Sequence, residues 1–175
     1  MGPEAQDAWV RTLLEEHQAR LVRYALRLTH HAETAHDVVQ ETFLRLCSQR
    51  QAEVAGHELA WLYRVCRQRA LDVCRKERRM SVLSRETAEN RPSPAPSPSA
   101  AAETADRSSQ LVELVARLSP QQQEVVRLKF TEGLKYREIA DVLGLSTSHV
   151  GVLIHTALKQ LRSQLAADLA NAAGD

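Results

Sequence analysis

The sequence predicts an all-α protein: two small helical domains joined by a flexible Pro/Ser/Ala-rich linker, the C-terminal one a helix-turn-helix. Three observations predict it. Apolar residues recur at helical spacing through residues 9–78. A block of Pro and Ser interrupts the chain near its middle. Residues 118–162 carry helix starts and stops at the close intervals of a helix-turn-helix. Only 4% of residues are aromatic and Gly is scarce, which disfavours an all-β fold, while 43% apolar residues suffice for a core.

The elements follow in chain order. Trp9 to Leu28 places Leu13, Leu14, His17, Leu21, Tyr24, Ala25 and Leu28 on one stripe. Ala35 to Gln49 repeats the pattern with Val38, Val39, Thr42, Phe43 and Leu46, and residues 48–60 are expected to be a loop. Trp61 to Arg78 does so with Leu62, Val65, Cys66, Leu71, Val73 and Cys74. These stripes are core, so the chemistry is assigned to side chains facing outward. The segment RPSPAPSPSAAAETADRSS (91–109) cannot bury a core and is expected to be an extended, solvated tether. The resulting boundaries are 4–82 for the first domain, 83–107 for the linker and 108–166 for the second, with a short Ala-rich tail after Leu165. Limited proteolysis of the free protein is expected to cut between Arg85 and Arg107 and release two folded halves. Protection of that whole stretch would contradict a two-domain chain.

In the second domain Ser119-Pro120 is a helix start, with a hydroxyl N-cap, proline at the first helical position and Gln122 completing a capping box. That helix should stop near Gly133. The next spans Tyr136 to Leu143 and ends at Gly144, the usual left-handed C-terminal position. Ser146 then caps a helix running through His149, Val150, Ile154, Leu158 and Leu161. Two short helices joined at a glycine, the second free to enter a groove, imply binding to duplex DNA.

Charge is uneven behind a formal net of +1. Residues 64–79 hold seven bases against two acids, whereas residues 108–175 hold seven of each. Two nucleic-acid contacts of different character are therefore expected. No window is apolar enough to span a membrane, and the N-terminus lacks a basic-then-apolar signal, so a cytoplasmic location is expected. Cys47, Cys66 and Cys74 have no CxxC spacing and fit reduced, half-buried helix positions. His30, His31 and His36 do not make a ligand set, because neighbouring histidines point to different faces and the pair sits where the chain should turn. Asp37 and Glu41 form a carboxylate pair without a metal-ligand set, a substrate motif or a Gly-rich phosphate loop. No catalytic residue, metal or cofactor is assigned, and the chain is read as not an enzyme.

HDVVQETFLRL (36–46), AWLYRVCRQRALDVCRKERR (60–79) and LSPQQQEVVRLKFTEGLKYREIADVLGLS (118–146), in that order and split by a linker, resemble the sigma-70 family of RNA polymerase sigma factors. The resemblance is to the small extracytoplasmic-function (ECF) group, which keeps only regions 2 and 4, and it covers nearly all of residues 8–165. It implies core RNA polymerase as partner (the β′ coiled coil and the β flap), together with promoter DNA and an anti-sigma protein. In the family the D-x-x-Q-E-x-F helix docks on the β′ coiled coil; Asp37, Gln40, Glu41 and Phe43 match it, with Leu44 beside them. Like charges at i,i+4 cost a few tenths of a kcal/mol, which a basic partner would offset. The basic helix corresponds to the segment engaging the −10 element. There Arg64, Arg67, Arg75, Lys76, Arg78 and Arg79 would hold phosphates, Gln68 would offer an amide, and Trp61 and Tyr63 would supply flat groups for unstacked bases. Trp61 fits a core position equally well.

The sequence departs from the family pattern in two places. An aromatic common three residues before the tryptophan is replaced by Glu58, and a common Asn by Gln68. In the recognition helix, Gly151, Val152, Leu153, Thr156 and Leu158 stand where basic or polar residues are usual, and all five are expected to face outward. Either −35 recognition rests on Thr147, Ser148 and His149, with Lys135, Arg137 and Lys159 on phosphates, or the apolar face packs on a protein partner. The competing functions are a two-domain helix-turn-helix regulator acting without polymerase and a pure protein-interaction module.

Overall fold

The computed structural model describes residues 3–84 and 111–172. The linker expected at 83–107 lies almost wholly outside the described residues. Every regular element among them is a helix, so the chain is all-α, and it divides into two compact units, residues 1–94 and 95–175.

The first unit is built on α1 (Pro3–Thr29), α2 (Ala32–Cys47), the one-turn α3 (Gln51–Val54) and α4 (Glu58–Ser84). The 3.6-residue stripes become the core: Leu21, Tyr24 and Ala25 of α1 bury against Val38, Val39, Phe43 and Leu46 of α2 and Leu62, Val65 and Cys66 of α4. Tyr24 and Tyr63 meet edge to face, centroids 5.0 Å apart and planes at 72°. Burial pushes the Cys66 thiol up to about 12, against a smaller downward pull from the Thr42 side chain. Cys74 is half-buried with Sγ 3.4 Å from the Leu28 carbonyl, whereas Cys47 is exposed, so the three cysteines differ in burial.

His30 takes φ 61°, the left-handed conformation, and reverses the chain between α1 and α2 without a glycine. Among the described residues no group of three His, Cys, Asp or Glu side chains is placed to hold a metal ion. Residues 48–60 are more ordered than a loop: Val54 of α3 is buried and Gly56, at φ 80°, leads the chain into α4. An anchored apolar side chain inside that connection is invisible to helical periodicity, which needs more than one turn.

His17 sits half-buried on α1 with Nδ1 lacking a hydrogen-bond partner, and burial lowers its pKa, opposed by Glu16 and reinforced by Arg20. The unfolded chain then binds a proton that the folded chain refuses, so stability falls as pH drops below the ordinary histidine value of about 6.5. Trp9 and Trp61 are the only tryptophans and both lie in the first unit. Thermal unfolding followed by tryptophan fluorescence should show a midpoint that declines between pH 7.5 and 5.5, and His17→Leu should flatten the decline. An unchanged slope in the variant would assign the acid sensitivity elsewhere.

The second unit begins with a short helix, α5 (111–116), followed by α6 (Pro120–Phe130), α7 (Tyr136–Leu143) and α8 (Thr147–Ala172). The capping box at α6 is complete: the Gln122 amide N–H donates to Ser119 Oγ (3.3 Å), and the Ser119 N–H donates to Gln122 Oε1 (3.0 Å). Leu128, Leu134, Ile139, Val150 and Ile154 form the centre of this core, and Leu118, Val126 and Ala157 a cluster that Leu161 joins. The helix α8 runs past residue 166, because its Ala-rich end has high helix propensity; Arg117 and Asp168 approach to 3.8 Å there.

Candidate nucleic-acid and polymerase-docking surfaces

The exposed edge of α2 carries the first candidate site. Asp37 and Gln40 are exposed, and Leu44, a large apolar side chain, is 62% exposed. Phe43 and Glu41 differ from expectation. Phe43 is 5% exposed and belongs to the core of the unit. Both carboxylate oxygens of Glu41 are engaged inside the unit: Oε1 accepts from Arg45 Nη2 at 3.0 Å, and Oε2 lies 2.5 Å from Arg69 Nε of α4. The charge that a basic partner was expected to offset is offset at home. Arg45 could have been found at i+4; Arg69 could not, since only the packing of α2 on α4 brings it there.

The second candidate surface is α4. At 100° per residue, Arg64, Gln68, Arg75 and Arg79 fall within about 80° of arc, opposite the buried Leu62 and Cys66. All four are exposed. Asp72 lies in the same stripe and pairs with Arg75 at 3.1 Å. Lys76 and Arg78 are exposed on its flanks, and Arg67 is half-buried. Trp61 and Tyr63 do not join this surface. Trp61 is 8% exposed and Tyr63 0%, so neither presents a ring face to an unstacked base in this conformation. Tyr63 falls on the buried side of α4, whereas Trp61 shares the phase of Arg64 and Arg79 and is buried all the same in the first turn of the helix. His57, at the start of α4, is exposed with Nδ1 3.3 Å from the Ala55 carbonyl oxygen.

The third surface is the helix-turn-helix. Gly144 has φ 68°, so the chain turns tightly after α7, and the Leu145 N–H donates to Ala140 O at 3.0 Å. Ser146 Oγ accepts from the His149 N–H at 3.2 Å, and the Ser146 carbonyl takes the Val150 N–H, which starts α8 at Thr147. Glu138 accepts the Lys135 N–H at 2.6 Å, fixing the start of α7 beside exposed Lys135 and Arg137. Lys129 Nζ stands 5.4 Å from the centre of the Tyr136 ring. Thr147, Ser148, His149, Val152, His155, Thr156 and Lys159 are exposed. Leu153 and Leu158, expected to face outward, are half-buried, so of the apolar side chains among those five positions Val152 alone is exposed, at 62%; Leu165, further along α8, is also exposed. A single substituted position displays the apolar character, with Gly151 beside it.

An exposed acidic-apolar helix edge, a one-sided basic helix and a helix-turn-helix on one chain define a factor that joins a protein partner to DNA. The family model for sigma-70 region 2 matches residues 13–80, and that for sigma-70, region 4 matches residues 108–161. The ECF RNA polymerase sigma factor SigL of Mycobacterium tuberculosis is 33% identical over 163 residues, covering 92% of this chain and 91% of its own. The ECF RNA polymerase sigma factor SigE of Mycolicibacterium smegmatis is 31% identical over 155 residues, covering 88% of this chain and 60% of its own. Among solved structures, the sigma factor RpoE of Bartonella quintana, in complex with the anti-sigma factor NepR, has a TM-score of 0.64 at 21% identity, covering 90% of this chain and 97% of that one. CnrH, in complex with the cytosolic domain of CnrY, has a TM-score of 0.57 at 22% identity over 91% of this chain and 88% of its own. At those identities the structural likeness carries the fold. The chain belongs to the sigma-70 family of RNA polymerase sigma factors, in its ECF group. It binds core RNA polymerase and directs promoter recognition and transcription initiation. Among the described residues no helix is long and apolar enough to cross a membrane.

Proposed function

We propose that the two units divide the work of promoter engagement between three named surfaces. The α2 edge of Asp37, Gln40 and Leu44 docks on the β′ coiled coil of core polymerase. The α4 stripe of Arg64, Gln68, Arg75 and Arg79, flanked by Lys76 and Arg78, holds the backbone of the −10 element. Thr147, Ser148 and His149 at the start of α8 read the −35 element, with Lys135, Arg137 and Lys159 on phosphates. The observation that carries this reading is the separation of chemistry: the exposed Leu44 beside exposed acidic and amide groups lies on α2, whereas the basic stripe lies on α4. A protein surface and a phosphate surface thus stand on different helices of one unit.

The chain supplies no bond-making chemistry in this scheme; the polymerase does. A cytoplasmic location fits that role, as does control by an anti-sigma protein of the kind seen bound to RpoE of Bartonella quintana. The test is co-purification. Immobilised chain should retain core polymerase, and the retained holoenzyme should footprint both the −10 and −35 elements of its promoter. Specific binding to duplex DNA with no retention of polymerase would favour a helix-turn-helix regulator instead.

A further inference from the structure

We infer that Val152 is a specificity-determining residue that reads a thymine methyl in the −35 element, with Gly151 letting the helix approach the groove closely. The inference rests on the proposal that α8 reads the −35 duplex. Its geometric basis is helical phase. Starting from Thr147, Ser148, Val152, His155 and Lys159 fall within about 60° of arc at 100° per residue. The opposite side of α8 holds Val150, Ile154 and Ala157, each essentially without exposed surface. Val152 lies at one edge of that arc, about 40° from Ser148 and about 20° from Lys159, and so shares the outward face with them.

A helix lying in the major groove with that face inward brings an isopropyl group against base edges. Those edges present hydrogen-bond donors and acceptors and a single apolar projection, the C5-methyl of thymine. A side chain with no donor or acceptor, set against a donor or acceptor, would strip water from it without replacement. The methyl is the group that Val152 fits. The first three turns of this face hold no Arg or Lys for guanine, which leaves Ser148, His149 and His155 as its polar readers.

Gly151 is the second, independent observation. A Cβ built there would meet Tyr136 Cε2 at 3.8 Å, an ordinary contact, and the backbone at Gly151 is helical. Nothing inside the unit requires a glycine, although glycine weakens a helix interior. In this proposal the glycine acts through the outward face, where a missing side chain shortens the approach of the helix to a groove.

The test uses holoenzyme assembled from the full chain and core polymerase, on a promoter selected by that holoenzyme from a random duplex pool. Each −35 thymine is then replaced in turn by deoxyuridine, which removes only the methyl. One replacement should weaken binding about fourfold, the effect of one buried methyl-sized group, and in Val152→Ser holoenzyme the same replacement should have no effect. Gly151→Ala should raise the unfolding temperature of the second unit while lowering promoter affinity. The inference is overturned if no uracil replacement matters, if the methyl dependence survives Val152→Ser, or if Gly151→Ala binds as tightly as the parent. If the holoenzyme selects promoters but shows no methyl dependence, the sigma reading stands and Val152 has no part in base readout. If no promoter is selected at all, both fail.

Discussion

Asp37→Arg combined with Leu44→Asp is expected to abolish holoenzyme formation while leaving the helix content of the first unit intact. Both side chains project from α2 into solvent, so their replacement disturbs no buried packing. At a desolvated interface, breaking a charge contact costs about 2–5 kcal/mol, roughly thirtyfold to several-thousandfold in affinity. The comparison that gives the result its meaning is Glu41→Arg. That change sets a third guanidinium against Arg45 and Arg69, so its first consequence is a loss of stability in the free chain. Partly exposed pairs of this kind are worth up to about 1 kcal/mol each, enough to lower the unfolding temperature measurably. Titration of core polymerase with each variant, beside its thermal melt, separates the two roles. Full polymerase binding by the Asp37/Leu44 variant would remove this edge of α2 from the docking surface.

Neutralising Arg64, Arg75, Lys76 and Arg79 together, each to Gln, is expected to have the second largest effect. Three of these lie within one stripe of α4 and the fourth flanks it, all four exposed. Each phosphate that a side chain neutralises contributes about 0.9 to the slope of log affinity against log salt, and so about tenfold in affinity at 0.1 M salt. The variant holoenzyme should therefore bind promoter DNA weakly and with a flatter salt dependence, by about one unit for each phosphate no longer held. Asp72, paired with Arg75, gives an internal control: Asp72→Asn removes an acid from the stripe and should tighten binding. A salt slope unchanged in the quadruple variant would make these charges bystanders.

Much of the architecture is legible in the sequence because it is set by local rules. Burial imposes the 3.6-residue period on α1, α2 and α4, and the Ser119 box, Gly144 and Ser146 mark helix ends within the second unit to within a residue or so. The departures have physical causes too. Trp61 and Tyr63 stand beside the basic residues in sequence, which suggests base platforms, yet both are buried: Tyr63 occupies the buried phase of α4, while Trp61 shares the phase of Arg64 and is covered in the helix's first turn, which neither composition nor phase foretells. Of the two partners of Glu41, Arg45 is legible at i+4 and Arg69 is not, because only tertiary packing brings it there. In α8, the sequence groups Leu153 and Leu158 with Val152 as outward residues. Phase measured from the Ser146 cap turns both toward the half-buried flanks and leaves Val152 in the open. The end of α8 is missed since an Ala-rich sequence reads as a tail when no apolar stripe marks it as packed.

The central claim is that this chain converts core polymerase into a promoter-specific enzyme. Promoter-dependent run-off transcription tests it most directly, using core polymerase with and without the chain on a template bearing the selected −35 and −10 elements. The account predicts a discrete transcript that needs the chain, disappears with the Asp37/Leu44 variant and loses salt tolerance with the α4 variant. It is contradicted if the chain binds the template specifically while the polymerase makes the same products whether or not it is present.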